Sequence, residues 1–154
     1  MLLSYCQWLE THGIGQVIRD STWLFPFIEA FHLVAFAALG GAVLLVDLRL
    51  LGFGIGNQEP SALAKDVKTW FTASLAVMLI TGLLLFLSEP VKCYDSYAFR
   101  VKISALTLAI LFTVSLKSKI IRDSVTPAIQ KAAGATSLVL WGLVAWGGRW
   151  IGLS

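Results

Sequence analysis

Glu29 and His32 lie three residues apart in the apolar run LFPFIEAFHLVAFAALGGAVLLV. Ionisable groups inside hydrocarbon are expensive and are kept for a use, so this pair is where chemistry is first expected. On a helix, steps of three and four return to one side, which places Glu29, His32, Phe36 and Leu39 on a common face with Gly40 close by. An imidazole followed by small residues suits a flat macrocycle, because Nε2 reaches an iron axially while the absent side chains leave room for a porphyrin edge. Arg100, Lys102 and Arg149 fall near the ends of two later apolar runs, at about the depth of His32, where they would pair with propionates. The set His32, Gly40, Arg100, Lys102 and Arg149 therefore fits heme b in an electron-transfer or accessory subunit. With one intramembrane histidine per chain, a bis-histidine heme would need a second subunit.

The same residues support two other readings. Glu29 and His32 would serve a metal-ion or proton-coupled carrier as exchangeable ligands or proton sites. Alternatively, Glu29 paired with Arg100 or Arg149 makes a buried ionic network in a membrane assembly subunit, with no redox role. Glu-x-x-His is also half of the di-metal signature of helical bundles, and the chain lacks the other half. Whether the protein is an enzyme stays open. There is no phosphate-cradling loop, no CxxC or HExxH motif and no nucleic-acid motif. With only Met1 and Met78, a methionine-lined copper channel is not expected.

These side chains must be positioned by membrane helices. The chain of 154 residues is 57% hydrophobic and 14% charged, too few charges to coat a soluble domain. Spanning a hydrocarbon layer takes about 20 helical residues, and four runs are long enough: about 23–51, 69–87, 98–116 and 135–153. Pro60-Ser61 is a helix-start signal ahead of the second, and Pro90 stops it. The third continues as a basic amphipathic extension to Arg122. Residues 2–19 mix Leu3, Trp8, Leu9, Val17 and Ile18 with Glu10, His12 and Arg19, which predicts a short interfacial helix broken near Gly13 and Gly15. His12 is expected at the membrane–water boundary. The expected fold is all-α, a single-domain integral membrane four-helix bundle with an N-terminal interfacial helix.

Charge sets the orientation. The first and third loops with their flanks carry Arg49, Lys65, Lys68, Lys117, Lys119, Arg122 and Lys131 against four carboxylates. The other side carries Arg19, Lys92, Arg100, Lys102 and Arg149 against five. The positive-inside rule then puts both termini outside. The basic side is expected to meet anionic lipid headgroups of the bilayer. Asp47 and Arg49 are expected to pair with Lys65, Lys119 or Arg122 and fix helix register. Cys6 and Cys93 fall together on the outer side, where a disulfide is possible in an oxidising compartment. Most of the tryptophans, Trp23, Trp70 and Trp150 among them, suit interfacial anchoring, with Trp141 and Trp146 deeper. Small residues, including Gly148-x-x-x-Gly152, allow close helix contact within the bundle or between copies in a homo-oligomer or membrane complex.

The segments LFPFIEAFHLVAFAALGGAVLLVDLRLLG, FRVK and GGRWIG resemble an uncharacterised family of small four-span bacterial inner-membrane proteins. That resemblance covers most of the chain and implies a bacterial inner-membrane location, without an established activity. A fainter one, limited to a first-span His and a Lys at the third-span entry, is to copper-resistance membrane domains and small membrane b-type cytochromes. Those families carry more intramembrane histidines than the single His32 here.

Overall fold

The computed structural model describes residues 2–11, 13–54, 58–123 and 125–151, and among these every regular element is helical. Two short helices come first, α1 (Leu2–Thr11) and α2 (Ile14–Asp20). They are separated at Gly13, whose φ of 89° lies in the left-handed region that a side chain disfavours. The N-terminal segment is thus broken at Gly13, while Gly15, the other glycine expected at the break, lies inside α2. His12 and Gly152 lie outside the described residues.

Among the described residues, four helices are long and apolar enough to cross a membrane: α3 (Leu24–Leu51), α4 (Pro60–Ser88), the continuous run Tyr97–Arg122, and α8 (Pro127–Ile151). The ends of α3 and α4 follow from local chemistry. Gly52, at φ 92°, closes α3 in a Schellman motif, with Gly52 N–H donating to Arg49 O and Phe53 N–H to Leu48 O. Pro60 opens α4 at its first position, where a missing N–H loses nothing. The apolar run that marks the second span starts well inside this helix, because the polar first turns around Lys65 and Lys68 are helical too. Pro90 then starts a one-and-a-half-turn helix, α5 (Pro90–Asp95). Ser96 caps α6 (Tyr97–Leu111), its Oγ accepting from Phe99 N–H at 3.3 Å.

After Leu111 the third span widens into a π-helical segment at Phe112–Lys117 before resuming as α7 (Ser118–Arg122). Such an expansion accommodates one extra residue and often marks a functional position. Ser115 and Ser118 direct their hydroxyls back to the carbonyls of Leu111 and Val114, which satisfies backbone groups within the widened turns.

The helices pack in the order α4, α3, α8, α6. Among the described residues, α4 and α6 bring no Cα atoms within 8 Å of each other, so this seam of the bundle is loosely closed. Phe86 and Phe99 stack across it at one end, with centroids 5.5 Å apart, and α7 meets α4 at the other. The core is built from Ala35, Leu39, Val43, Met78, Ala105, Ala109, Trp141 and Val144. Its small residues let helices approach closely, the rule where lipid supplies no hydrophobic drive. Leu33, Val34, Ile80, Leu83, Leu108, Leu111 and Val139 instead face outward and are exposed, as lipid-facing positions are.

Candidate functional site

The bundle holds two polar sites, one towards each end. The first is centred on His32. Its Nδ1 lies 2.9 Å from Thr81 Oγ1 on α4, and that hydroxyl also lies 2.7 Å from the Val77 carbonyl. A hydroxyl has one proton to give. With the Thr81 proton on Val77 O, Thr81 Oγ1 accepts from Nδ1–H, and Nε2 keeps its lone pair. Gly82 makes the seat, since a Cβ there would sit 3.2 Å from His32 Cε1.

Of the basic residues expected around His32, the fold brings one close. Lys102 on α6 is near enough for its charge to act on the imidazole. It lies along α8 where α6 and α8 cross tightly: a Cβ at Gly147 would be 3.0 Å from Lys102 Cβ, and one at Gly148 3.5 Å from its Nζ. Arg100 and Arg149 are exposed. The Arg100 guanidinium donates to the Tyr94 carbonyl at 3.2 Å and lies over the Tyr94 ring. Glu29, one turn before His32, is exposed as well, and among the described residues it makes no ion pair. Gly40 has open space where a Cβ would stand. No three His, Cys, Asp or Glu side chains among the described residues gather as a metal site.

Beside this end, α1 packs on α5, and each contributes a buried free thiol, Cys6 and Cys93. Burial, then the Glu89 carboxylate, pushes the Cys93 thiol above its ordinary value, against the lowering effect of Lys102 and Lys92.

The second site lies where α3 ends and the π segment begins to turn into α7. Asp47 is fully buried, and Lys117 is 3% exposed. Lys117 Nζ stands 2.5 Å from Asp47 Oδ1 and donates to Ser137 Oγ on α8 at 3.2 Å. Beyond this ion pair, neither carboxylate oxygen has a hydrogen-bond partner in good geometry among the described residues. Gly134 lets α8 close on α3 here, because a Cβ would stand 3.0 Å from Asp47 O and 3.1 Å from Leu50 Cβ.

Lys117 is also in the wall of a cavity of about 650 Å³. Ala42, Val43 and Val46 line it from α3, Ala64, Val67 and Phe71 from α4, and Thr113, Val114 and Ile121 from the third span. Its volume is in the roughly 300–1,000 Å³ range of small-molecule sites. Thr72 and Val114 are both exposed at its edges, so the cavity is a cleft open sideways between α4 and the π segment. Ser61, Lys65, Lys68 and Arg122 ring the mouth at the loop end.

A family model, described as a family of unknown function (DUF6644), matches residues 5–154. The chain belongs to this family. No curated protein and no solved structure matches it.

In this DUF6644 protein the ion pair differs from the one the sequence suggests. Asp47 pairs with Lys117 rather than with Lys65, Lys119 or Arg122, all of which are exposed, and Arg49 donates instead to the Gln58 carbonyl at 2.6 Å. The physical reason is the π segment. Read as an unbroken α-helix, the third span ends its apolar run at Leu116, and Lys117 looks like the first residue of a basic tail. The extra residue in the widened turns changes the facing of everything after it, and Lys117 is buried while Ser118 and Lys119 are exposed. The one available signal was a lysine directly after an apolar run in a chain with an unpaired intramembrane aspartate.

Proposed function

We propose that this is a ligand-binding protein of the bacterial inner membrane, with both termini outside, and that its ligand site is the cleft between α4, α3 and the π segment. The observation that carries the reading is Lys117 in the cleft wall, paired to the fully buried Asp47 behind it. A buried ion pair is poor at stabilising, since desolvation offsets most of the attraction. Intramembrane ionic residues typically face a bundle interior or cavity and mark substrate pathways. Here both conditions hold, next to an apolar cleft of ligand size with a lateral opening. Electron transfer is not needed for this reading, and the protein would act as a binding or accessory subunit.

The test is to fill the cleft. Ala64 is half-buried in the wall, so Ala64→Trp places an indole in the space a ligand would take. Native mass spectrometry of wild type released from mild detergent is expected to show one retained lipid-sized ligand. Ala64→Trp is expected to lose it while keeping its helical circular dichroism and elution volume. Wild type that emerges without any retained mass, and takes none up from added membrane lipid, overturns the proposal.

His32 favours a second reading. A histidine whose Nδ1 is held by a hydroxyl is oriented in the way iron-ligating histidines are. With heme b bound, the group would supply one-electron chemistry. His32 would hold the iron, and Lys102 would be the nearest propionate partner. The fit is partial, because Arg100 and Arg149 face outward and a second axial ligand would come from another subunit. An absorption spectrum after purification from heme-replete cells decides it: a Soret band lost in His32→Ala supports the cytochrome reading, and colourless folded protein removes it.

A further inference from the structure

The cleft has an asymmetry that specifies its occupant. Its walls are apolar, yet its mouth carries three exposed cations, Lys65, Lys68 and Arg122, and a fourth, Lys117, lines the interior. Asp47 is spent on Lys117, and at the mouth Arg122 pairs with Asp123. We propose that the cleft takes one acyl chain of an anionic phospholipid entering sideways from the bilayer, and that Lys117 shares its ammonium between Asp47 and the lipid's phosphate as the lipid seats. The proposal rests on the cleft being the ligand site.

Three features support it. The lateral opening between α4 and the third span exposes the cleft to lipid rather than only to water, so the ligand comes from the membrane. Charge complementarity selects the head, since Lys65 and Lys68 at the mouth and Lys117 within favour an anion. Lys117 itself is built to move. It has four rotatable methylenes, it ends a π segment, and beside Asp47 its other partner is a serine hydroxyl that a phosphate oxygen can replace. The ion pair acts as a stored contact that keeps Lys117 buried and compensated while the cleft is vacant.

The consequence is opposite for the two partners. Asp47→Asn removes the competitor for Lys117 and is expected to tighten binding of phosphatidylglycerol about tenfold, the scale of one charge-assisted hydrogen bond. Lys117→Met alone strands the Asp47 carboxylate and is open to misfolding. The decisive variant is therefore the neutral pair Asp47→Asn with Lys117→Met, which keeps shape without burying a charge. Binding is measured by native mass spectrometry and by lipid titration of wild type and variants, using phosphatidylglycerol and phosphatidylcholine. Inorganic phosphate is added as a competitor in a separate arm.

Wild type is expected to prefer phosphatidylglycerol, the double variant to lose part of that preference, and inorganic phosphate to leave lipid binding unchanged. Equal binding of the two lipids by wild type overturns the anionic-head inference while leaving the cleft as a ligand site. An undiminished phosphatidylglycerol preference in the double variant removes Lys117 from the reading of the head. Competition by inorganic phosphate at comparable affinity makes the ligand a free anion instead of a lipid. Absence of any lipid binding sinks the underlying cleft assignment.

Discussion

At the residue scale, the polar groups that matter are those the bundle encloses, and the sequence marks them unequally. His32 is legible because it stands alone in an apolar run, and its partner Thr81 is not, because a threonine in a span is ordinary. Lys102 joins His32 while Arg100 and Arg149 do not, since the facing of a residue at a helix end depends on how α6 crosses α8 at Gly147. Cys6 and Cys93 are legible as a pair of the same side, and the fold buries both on the contact of α1 with α5. The environment of Cys93 gives a prediction with a sign. Burial and Glu89 raise the thiol, so near neutral pH it is protonated and slow to react. Folding therefore favours the thiol form, a contribution that is complete below the ordinary thiol value of about 8.5 and is lost as pH rises through the raised one. Iodoacetamide labelling of Cys93 in a Cys6→Ala background is expected to stay slow at pH 8 and to accelerate only at higher pH than labelling of the unfolded chain. Equal pH profiles in the two states would show that the thiol is not held this way.

At the element scale, the spans are legible because apolar length is a direct physical requirement of the bilayer, and four runs meet it. The break at Gly13 is legible for the same kind of reason, a backbone angle that only glycine takes easily. Two elements are not legible. The short helix α5 follows from Pro90 resuming a helix that the same proline was expected only to end, and a π segment has no composition of its own. Gly15 shows how tightly α2 is seated on the bundle. It is buried in α2, and a Cβ there would stand 2.0 Å from the Leu87 carbonyl oxygen at the end of α4. Both groups are backbone and cannot step aside, so Gly15→Ala is expected to lift α2 from α4. The spans would persist, since none of their core residues touches this contact. Hydrogen exchange is expected to rise over residues 14–20 and to stay unchanged in the core of α3. Unchanged protection of α2 would mean that the helix can slide to accept a methyl group.

At the scale of the molecule, the bundle is polarised, and what that polarity means depends on which way it stands in the membrane. The end formed by the α3–α4 and α7–α8 connections carries the exposed cations around the cleft mouth, while the end with α1, α2 and α5 carries His32, Lys102 and the two thiols. Lys and Arg near span ends are retained on the cytoplasmic side, so the cleft is expected to open to the inner leaflet and the His32 end to face outside. This also fits the proposed ligand, because anionic lipids then meet the basic mouth from the same leaflet. Two positions test it. Glu59 begins α4 at the cleft end, and Asp95 ends α5 at the other; both are exposed. In a background with Cys6 and Cys93 replaced by alanine, Asp95→Cys is expected to react with a membrane-impermeant maleimide in intact spheroplasts. Glu59→Cys is expected to react only after the membrane is permeabilised. The reverse pattern would turn the protein over, place the cleft in the outer leaflet, and put the thiols in a reducing compartment where a Cys6–Cys93 bond would not persist.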